Sequence, residues 1–324
     1  MGPPKPDATG DSTYTSGPDS TSGGETGPDE GRLALVDPSR YAVLGELARG
    51  GLGRIVRAQD LRLHRTVALK EMLVPSREAE PRFITEALVT ARLQHPAIVP
   101  VYEAGRWPGG HAFYAMKLVS GRSLAAAIAQ CATLRERLSL LPHVIAVTDA
   151  MAYAHSERII HRDLKPTNIL VGDFGETVVI DWGLAKDLSR TDSPATEEPA
   201  APVPPTADGA LTRAGAVMGT PAYMPPEQAL GLPVNERADV YALGALLYHL
   251  LAGTRPYDFH SGEQVLQAVV RGPPPPLAEQ QKSIPVELLA IVTKAMEREP
   301  EKRYATAREL AEEAGLIRLI VSTY

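Results

Sequence analysis

The fold of this chain is decided by the stretch HRDLKPTN at residues 161–168 and by DWG at residues 181–183. In the first stretch Lys165 stands two residues after Asp163, and Asn168 stands five residues after it. All three side chains can therefore converge on one loop. Phosphoryl transfer uses such a set: a carboxylate at the attacking hydroxyl, a cation at the γ-phosphate and oxygen ligands for Mg²⁺.

The segment between these two stretches has the length of a β-hairpin. Short strands at 169–172 and 177–180 fit between Asn168 and Asp181, and such a hairpin returns Asp181 beside Asn168. Both side chains can then reach one hard cation through oxygen. The nearer DFG at 173–175 leaves no room for two strands, so we predict that it is the hairpin turn, where Asp and Gly are favoured.

A glycine-rich segment lies between two predicted strands near the start of the patterned sequence. Gly50, Gly51 and Gly53 would let the backbone approach phosphate oxygens closely, although glycine-rich hairpin turns without a ligand are equally common. No Lys-Ser or Lys-Thr pair follows, which excludes a Walker loop. A strand follows instead of a helix, which excludes a dinucleotide-binding fingerprint.

Lys70 ends the apolar strand VALK at residues 67–70. An ammonium group at that place borders low-dielectric surface and requires an anionic partner, for which Glu86 in the following helix is the candidate. The alternative is an ordinary lysine whose alkyl chain covers apolar surface while its charge stays in water.

The order of the predicted elements indicates an α+β protein with two lobes, strand-rich first and helix-rich second. Residues 80–94 and 138–155 have helical spacing, and 238–252 is apolar on all sides, which predicts a buried central helix. The strands of the first lobe are predicted at 41–47, 55–59, 66–72, 99–104 and 113–119.

The composition is that of an ordinary globular protein: of 324 residues, 44% are hydrophobic and 22% are charged, and the formal net charge is −6. A single cysteine, Cys131, excludes a disulfide framework or a cysteine-rich metal site and indicates a reducing, cytoplasmic setting. We expect no membrane span, because no run of about 18 apolar residues occurs. We expect no nucleic-acid partner, because the patterned part is close to neutral.

Proline concentrates in three segments, the first of which is also rich in glycine. Residues 1–31 hold five Pro, seven Gly, nine Ser or Thr and six acids, which predicts a disordered acidic tail, either a docking or phosphorylatable segment or simply a solvated one. Residues 191–208 are predicted to be a loop insertion. The four prolines at 273–276 indicate a stiff connector or a polyproline ligand.

Taken together, these features resemble the bacterial eukaryotic-type (Hanks-type) serine/threonine protein kinase family over residues 41–315. The resemblance implies a bilobal fold, with a small β-rich N-lobe that carries one helix and a larger, mainly α C-lobe. The implied segments are a tail at 1–36, a kinase domain at 37–316 (N-lobe about 41–116, hinge 117–120, C-lobe 121–316), an activation loop at about 183–224, and a C-terminal end at 317–324 that could be a truncation.

The resemblance also assigns site residues and the cofactors, ATP with Mg²⁺ or with Mn²⁺ in its place. It implies Asp163 as catalytic base, Lys165 as γ-phosphate contact, Asn168 and Asp181 as metal ligands, and Lys70 with Glu86 as the contact to the α- and β-phosphates. The residues implied around the nucleotide are Ala48, Gly50, Gly51, Gly53 and Ile55 in the glycine-rich segment, and Ala68, Met116, Lys117, Val119 and Leu170 at the adenine.

Motifs further along the chain resemble the substrate side of the family. Thr220 and Glu227 lie in GTPAYMPPE at 219–227, and Arg303 is implied as the buried partner of Glu227. Asp239 is implied to hold the catalytic loop from below, the alternative being a simple helix N-cap.

The resemblance further implies Ser and Thr residues of proteins as substrates, self-association for autophosphorylation, and control by an added phosphate. Arg162 precedes the catalytic Asp, and a phosphate in the activation loop would supply charge that an Arg can pair. Thr212 is the first candidate phosphosite, because it lies near the substrate loop and outside the insertion. The weaker candidates are Ser193, Thr196 and Thr206.

Two other functions stay open at this point. A pseudokinase would use the same fold as a binding scaffold: Ala48 replaces the first glycine of the loop and Trp182 replaces the usual Phe, but no charged or metal-binding residue is lost. A small-molecule phosphotransferase would share the loop with the base and the Asn, whereas Glu227, Asp239 and Arg303 favour protein substrates.

Overall fold

The first part of the patterned chain forms a five-stranded antiparallel sheet. The computed structural model describes residues 1–2, 33–51, 53–77, 79–189 and 221–313, and every element below lies within Leu33–Tyr324. The strands follow one another across the sheet in the order β1-β2-β3-β5-β4. They are β1 (Tyr41–Arg49), β2 (Gly53–Asp60), β3 (Arg65–Met72), β4 (Val101–Arg106) and β5 (Ala112–Lys117).

Several predictions concern residues outside the described ranges. These are the acidic tail over 3–32, the insertion at 191–208, Thr220 of the substrate loop, the C-terminal end at 317–324, and the candidate phosphosites Thr212, Ser193, Thr196 and Thr206.

Both faces of the sheet are covered by apolar groups. On one face, α1 (Ala79–Arg92) packs Phe83 and Ala87 against the strands. On the other face, the indole of Trp107 lies flat on Phe113, with the ring centroids 3.8 Å apart. Because apolar burial is favourable, α1 packs on the inner face of the sheet through these side chains.

The second part of the chain is mainly helical and is built around α6 (Glu236–Ala252), a helix that is buried on nearly all sides. Apolar residues on every face explain why this helix lies inside the lobe and not on its surface. The other helices are α2 (Leu124–Ala129), α3 (Leu134–Leu138), α4 (Leu141–Ser156), α5 (Pro226–Ala229), α7 (Gly262–Arg271), α8 (Leu277–Gln280) and α9 (Val286–Ala295). The short strands are β6 (Gly121–Ser123), β7 (Ile159–Ile160), β8 (Ile169–Gly172), β9 (Thr177–Val179) and β10 (Lys186–Asp187).

The predicted α+β, two-lobed fold is confirmed, and the element ends differ from prediction by a few residues. The strand predicted at 99–104 begins at Val101, and the one predicted at 113–119 ends at Lys117. The helix predicted at 138–155 begins only at Leu141. Pro142 explains this start, because a proline lacks the N–H that the interior of a helix requires and is tolerated in the first turn.

The prolines at 273–276 join α7 to α8 without forming a helix or strand of their own. The hydroxyl of Tyr248 donates to the carbonyl of Pro275 at 2.9 Å, so the connector is fastened to α6. The segment is a connector between two helices, as predicted, and its stiffness stays a prediction. Within the described ranges, no helix is long and apolar enough to cross a lipid bilayer.

A buried ion pair fastens α5 to the end of the helical lobe. Arg303 donates to both carboxylate oxygens of Glu227, at 2.6 and 2.8 Å, and its side chain is fully buried. The guanidinium also donates to the backbone carbonyls of Glu297 and Arg237. The predicted contact between Glu227 and Arg303 is therefore present, with two parallel hydrogen bonds that give it a defined geometry.

Substituting Arg303→Met should lower the free energy of unfolding by about 3–5 kcal/mol, because it leaves the Glu227 carboxylate buried without its partner. Urea denaturation of the whole chain measures this loss. The double variant Arg303→Met, Glu227→Leu should recover part of it, because the stranded charge is then gone.

The exposed pair between Arg255 and Asp258, 2.5 Å apart, supplies the control. Arg255→Met should cost no more than about 1 kcal/mol, as is usual for surface ion pairs. A loss at Arg303 as small as the loss at Arg255 would contradict the structural role of the buried pair.

Candidate active site

A buried carboxylate holds the loop at 161–168 from the side of α6. Asp239 accepts the backbone N–H groups of His161 (2.8 Å) and Arg162 (2.9 Å), and its Oδ2 lies 2.9 Å from Nε2 of His155. Burial pushes the pKa of Asp239 upward, but the hydrogen bond to His155 helps to outweigh this effect, and the pKa lies below its ordinary value. The carboxylate therefore stays ionised and fixes the start of the loop.

This contact also sustains an unusual backbone conformation. Arg162 has a φ of 64°, in the left-handed region that residues with a Cβ rarely adopt. The alternative prediction for Asp239, a helix N-cap, is wrong: Asn235 caps α6 by accepting the N–H of Arg237, and Asp239 lies one turn into the helix. Both oxygens of Asp239 are thus engaged with residues beyond its own helix.

The three polar residues predicted on this loop lie together. The ammonium of Lys165 lies 2.6 Å from Oδ2 of Asp163. The side-chain amide of Asn168 donates to the backbone carbonyl of Asp163 at 3.0 Å and to its Oδ2 at 3.2 Å. Because the amide nitrogen of Asn168 makes these bonds, its amide oxygen is the atom that can meet a cation.

The hairpin predicted after Asn168 is present and has the predicted effect. β8 pairs antiparallel with β9, and the N–H of Ile180 then donates to the carbonyl of Asn168 at 2.9 Å. Asp181 follows with a φ of 64°, its side chain 47% exposed and one oxygen 3.8 Å from the ammonium of Lys70. The two oxygen-bearing side chains thus stand on adjacent segments of backbone.

The DFG at 173–175 is the turn of this hairpin, as predicted. The N–H of Gly175 donates to the carbonyl of Gly172 at 3.0 Å, and Gly175 has a φ of 83°. Phe174 is 96% exposed at the tip of the turn. The segment is therefore remote from the polar cluster in spite of its letters.

Trp182 takes an inner position behind the polar cluster. Its side chain is 1% exposed, and its ring centroid lies 4.7 Å from that of His161. Its indole N–H is buried and has no hydrogen-bond partner among the residues that the structure describes. The larger ring thus packs as an apolar group, as predicted, at the cost of one buried donor left unpaired.

Lys70 and Glu86 form a three-membered cluster with Tyr114. The Lys70 ammonium lies 2.5 Å from Oε1 of Glu86, and the hydroxyl of Tyr114 donates to the same oxygen at 2.6 Å. Burial and the adjacent Glu86 carboxylate raise the pKa of Tyr114 well above its ordinary value, so the phenol remains a donor. The Glu86 carboxylate is therefore held from two directions.

Sequence reasoning missed Tyr114, although a signal for it exists. Lys70 and Tyr114 are register partners in the β3–β5 ladder, so their side chains share one face of the sheet. The predicted strand over 113–119 contained this tyrosine two residues before Met116, on the same face by the alternation of strands. Only the register, which depends on the whole sheet, assigns it to Lys70.

The glycine-rich segment is the β1–β2 hairpin, and its glycines differ in what they do. The N–H of Gly50 donates to the carbonyl of Gly53 at 2.9 Å and closes the hairpin. A Cβ at Gly53 would lie 2.4 Å from the carbonyl oxygen of Glu71, so close packing on β3 requires glycine there. A Cβ at Gly51 would meet open space, and Ala48 sits in the β1 ladder opposite Ile55.

The residues predicted around an adenine divide into two groups. Ile55 and Val119 pack against the cluster that contains Ala68 and Met116, so these four side chains form one apolar surface. Leu170 lies outside this cluster, opposite its member Val178 in the β8–β9 ladder, and is half-buried. The N–H of Lys117 donates to the carbonyl of Pro100 at 3.1 Å, which fixes the start of the connecting segment 117–120.

Known proteins are similar in sequence to most of this chain. The model of a family described as the protein kinase domain matches residues 41–314. The serine/threonine-protein kinase PknD of Protochlamydia amoebophila is 34% identical over 288 residues, which cover 83% of this chain and 29% of that protein. PknB of Mycolicibacterium smegmatis is 36% identical over 288 residues, covering 86% of this chain and 43% of that protein. The chain thus spans less than half the length of these relatives.

The fold and the clustered polar residues define a protein kinase domain. The chain belongs to the protein kinase family. The family resemblance inferred from the motifs is confirmed.

Tyr114→Phe should lower kinase activity roughly threefold to tenfold, because Glu86 loses one of the two donors that hold its carboxylate toward Lys70. Initial rates at saturating and limiting ATP would separate the effect on kcat from the effect on KM. Tyr248→Phe, which removes the hydroxyl bonded to Pro275 far from the site, is the matched control and should leave the rates unchanged. Equal effects of the two variants would contradict a role of Tyr114 at the site.

Proposed function

We propose that this chain is an ATP-dependent serine/threonine protein kinase that transfers the γ-phosphoryl group of ATP to Ser or Thr hydroxyls of proteins, itself included. The observation that carries the proposal is the joint placement of two ionic clusters. Lys70 and Glu86 lie 2.5 Å apart on the inner face of the sheet, and Asp181 reaches within 3.8 Å of Lys70 from the helical lobe. Asp163 and Lys165 form the second cluster, 2.6 Å apart on the loop at 161–168.

In this proposal Asp163 is the general base. It accepts the proton of the substrate hydroxyl while the hydroxyl oxygen forms a bond to the γ-phosphorus and the bond from that phosphorus to the departing ADP oxygen breaks. Lys165, 2.6 Å from Asp163, is placed to contact the γ-phosphate and to balance the charge of the carboxylate. Most of the acceleration would come from positioning and from charge neutralisation.

Asn168 and Asp181 would hold the metal ion, Mg²⁺ or Mn²⁺, which the family uses with ATP. The donor set fits a hard cation: the amide oxygen of Asn168 accepts no hydrogen bond from the residues that the structure describes, and the Asp181 carboxylate is half-exposed. When bound, such an ion neutralises charge on the phosphate oxygens. Lys70, held by Glu86 and Tyr114, would bind the α- and β-phosphates.

The nucleotide would be enclosed by backbone and apolar groups. The hairpin with Gly50, Gly51 and Gly53 would cover the phosphates, with Ala48 and Ile55 at its base. The apolar surface of Ala68 and Met116, with Leu170 opposite, would hold the adenine. The backbone carbonyl of Lys117 and the backbone groups of Val119 would bind its edge, because a short segment between two lobes presents its peptide groups there.

Protein substrates are supported by the part of the site that carries Glu227, Asp239 and Arg303. Serine/threonine specificity is supported by the relatives, which are serine/threonine-protein kinases. The pseudokinase alternative lacks support, because the sequence contains every charged residue that the family resemblance implies for the reaction. Thr220 in the substrate loop, Thr212 as phosphosite and self-association for autophosphorylation are parts of the same proposal. A cytoplasmic setting, inferred from the single cysteine, stays a prediction.

Incubation of the chain with Mg²⁺ and labelled ATP tests the proposal. Label should appear on Ser and Thr, and Asp163→Asn should lower its incorporation about a hundredfold or more, because the general base is lost while the shape of the side chain is kept. Removing Mg²⁺ with a chelator should abolish transfer in both proteins.

ATP binding supplies the control for the variant. The thermal midpoint of Asp163→Asn should still rise with ATP and Mg²⁺, since the nucleotide contacts are intact. Binding of ATP by the unmodified chain without any transfer would favour the pseudokinase scaffold and would contradict the proposal.

A further inference from the structure

An ion pair outside the site described above connects α1 to the helical lobe. Arg92, in the last turn of α1, places Nη1 2.7 Å from Oδ2 of Asp187 in β10. The Asp187 side chain is 8% exposed, whereas that of Arg92 is half-exposed. Neither residue belongs to the motifs that identify the family in this chain.

Asp187 is fixed to the backbone that leads into the catalytic loop. Its strand β10 pairs antiparallel with β7, and Asp187 itself stands opposite Ile159. The next residue, Leu188, donates its N–H to the carbonyl of Arg158 at 2.7 Å. β7 ends at Ile160, directly before the loop that carries Asp163. A displacement of Asp187 would therefore also displace that loop.

The Asp187 carboxylate is pre-oriented toward Arg92. The N–H and the hydroxyl of Ser189 both donate to Oδ1, at 3.0 and 2.5 Å, which leaves Oδ2 to the guanidinium. Burial alone would raise the pKa of Asp187, but the hydrogen bonds from Ser189 and Arg92 outweigh it and lower that pKa below its ordinary value. The pair therefore carries both charges at neutral pH.

The middle of α1 carries the group that the site needs, about two turns before Arg92. Glu86 lies on the same helix as Arg92 and meets Lys70 at 2.5 Å. Because a helix moves as a rigid rod over so short a distance, a tether at Arg92 limits how far Glu86 can swing away from Lys70. An added phosphate can order a loop because it is an anion that an Arg can pair. Asp187 provides such an anion to Arg92 permanently, as part of its side chain.

We propose that the Arg92–Asp187 ion pair is a latch between the lobes that holds α1 where Glu86 meets Lys70, so that Arg92 and Asp187 are positioning residues for phosphoryl transfer. The proposal rests on the proposed kinase function. The latch concerns the regulation of the proposed active site. It would support activity in the chain before any Ser or Thr of the activation loop is phosphorylated.

Kinetics of the phosphatase-treated chain test the latch. Asp187→Asn and Arg92→Gln should each lower kcat roughly threefold to tenfold, and the double variant should be no slower than either single one, because both remove the same contact. Arg92→Lys should retain most of the kcat. The kcat of Ser189→Ala should lie between those of Arg92→Lys and Asp187→Asn. Asp258→Asn, at the exposed pair with Arg255, is the control and should leave kcat unchanged.

A measurement that does not depend on catalysis separates the latch from the proposed function. In the Asp163→Asn background, hydrogen exchange of the amides of Ala79–Arg92 should become faster when Asp187→Asn is added, while exchange in Glu236–Ala252 stays the same. Unchanged hydrogen exchange in α1 would overturn the latch. So would a double variant whose loss in kcat equals the product of the losses in the two single variants. An unmodified chain without kinase activity would overturn the proposed function and leave the exchange test of the latch standing.

Discussion

The buried carboxylate of Asp239 is the constraint on which the rest of the site depends. It accepts the N–H groups of His161 and Arg162 and thereby sustains the left-handed backbone at Arg162, immediately before Asp163. A residue in that conformation persists only where its surroundings over-determine it. Because α6 is buried on nearly all sides, its rigidity is passed directly to the loop that bears the proposed base.

From this fixed loop, the site is completed by elements that approach it from both lobes. The hairpin of β8 and β9 returns the chain so that Asp181 stands next to Asn168. The sheet presents Lys70, and α1 presents Glu86, which the hydroxyl of Tyr114 holds in place. The helical lobe therefore carries the proposed base on a rigid support, whereas the other lobe carries Glu86 on α1, whose position the proposed latch would hold. This division explains why a pair such as Arg92–Asp187 can act on the site from outside it.

Much of this arrangement could be predicted from the sequence, because the information is local. The spacing from Asn168 to Asp181 predicted the hairpin and identified DFG at 173–175 as its turn, and the apolar run at 238–252 predicted the central helix. What could not be predicted depends on register and on packing between distant segments. Tyr114 reaches Glu86 only because β3 and β5 pair in one register, and Asp187 meets Arg92 only because β10 pairs with β7. The helix N-cap alternative for Asp239 failed for the same reason, since its partners lie far away in the sequence.

In the proposed function, Asn168, Asp181 and Lys70 form one nucleotide and metal site that faces Asp163. A crystal structure of the chain with Mn²⁺ and a non-hydrolysable ATP analogue tests this claim most directly, because the anomalous signal of Mn²⁺ locates the ion independently of the rest of the density. We expect an anomalous peak in contact with the side-chain oxygens of Asn168 and Asp181, with the phosphates beside Lys70. A nucleotide bound without a peak at these two residues, or with its phosphates away from Lys70, would contradict it.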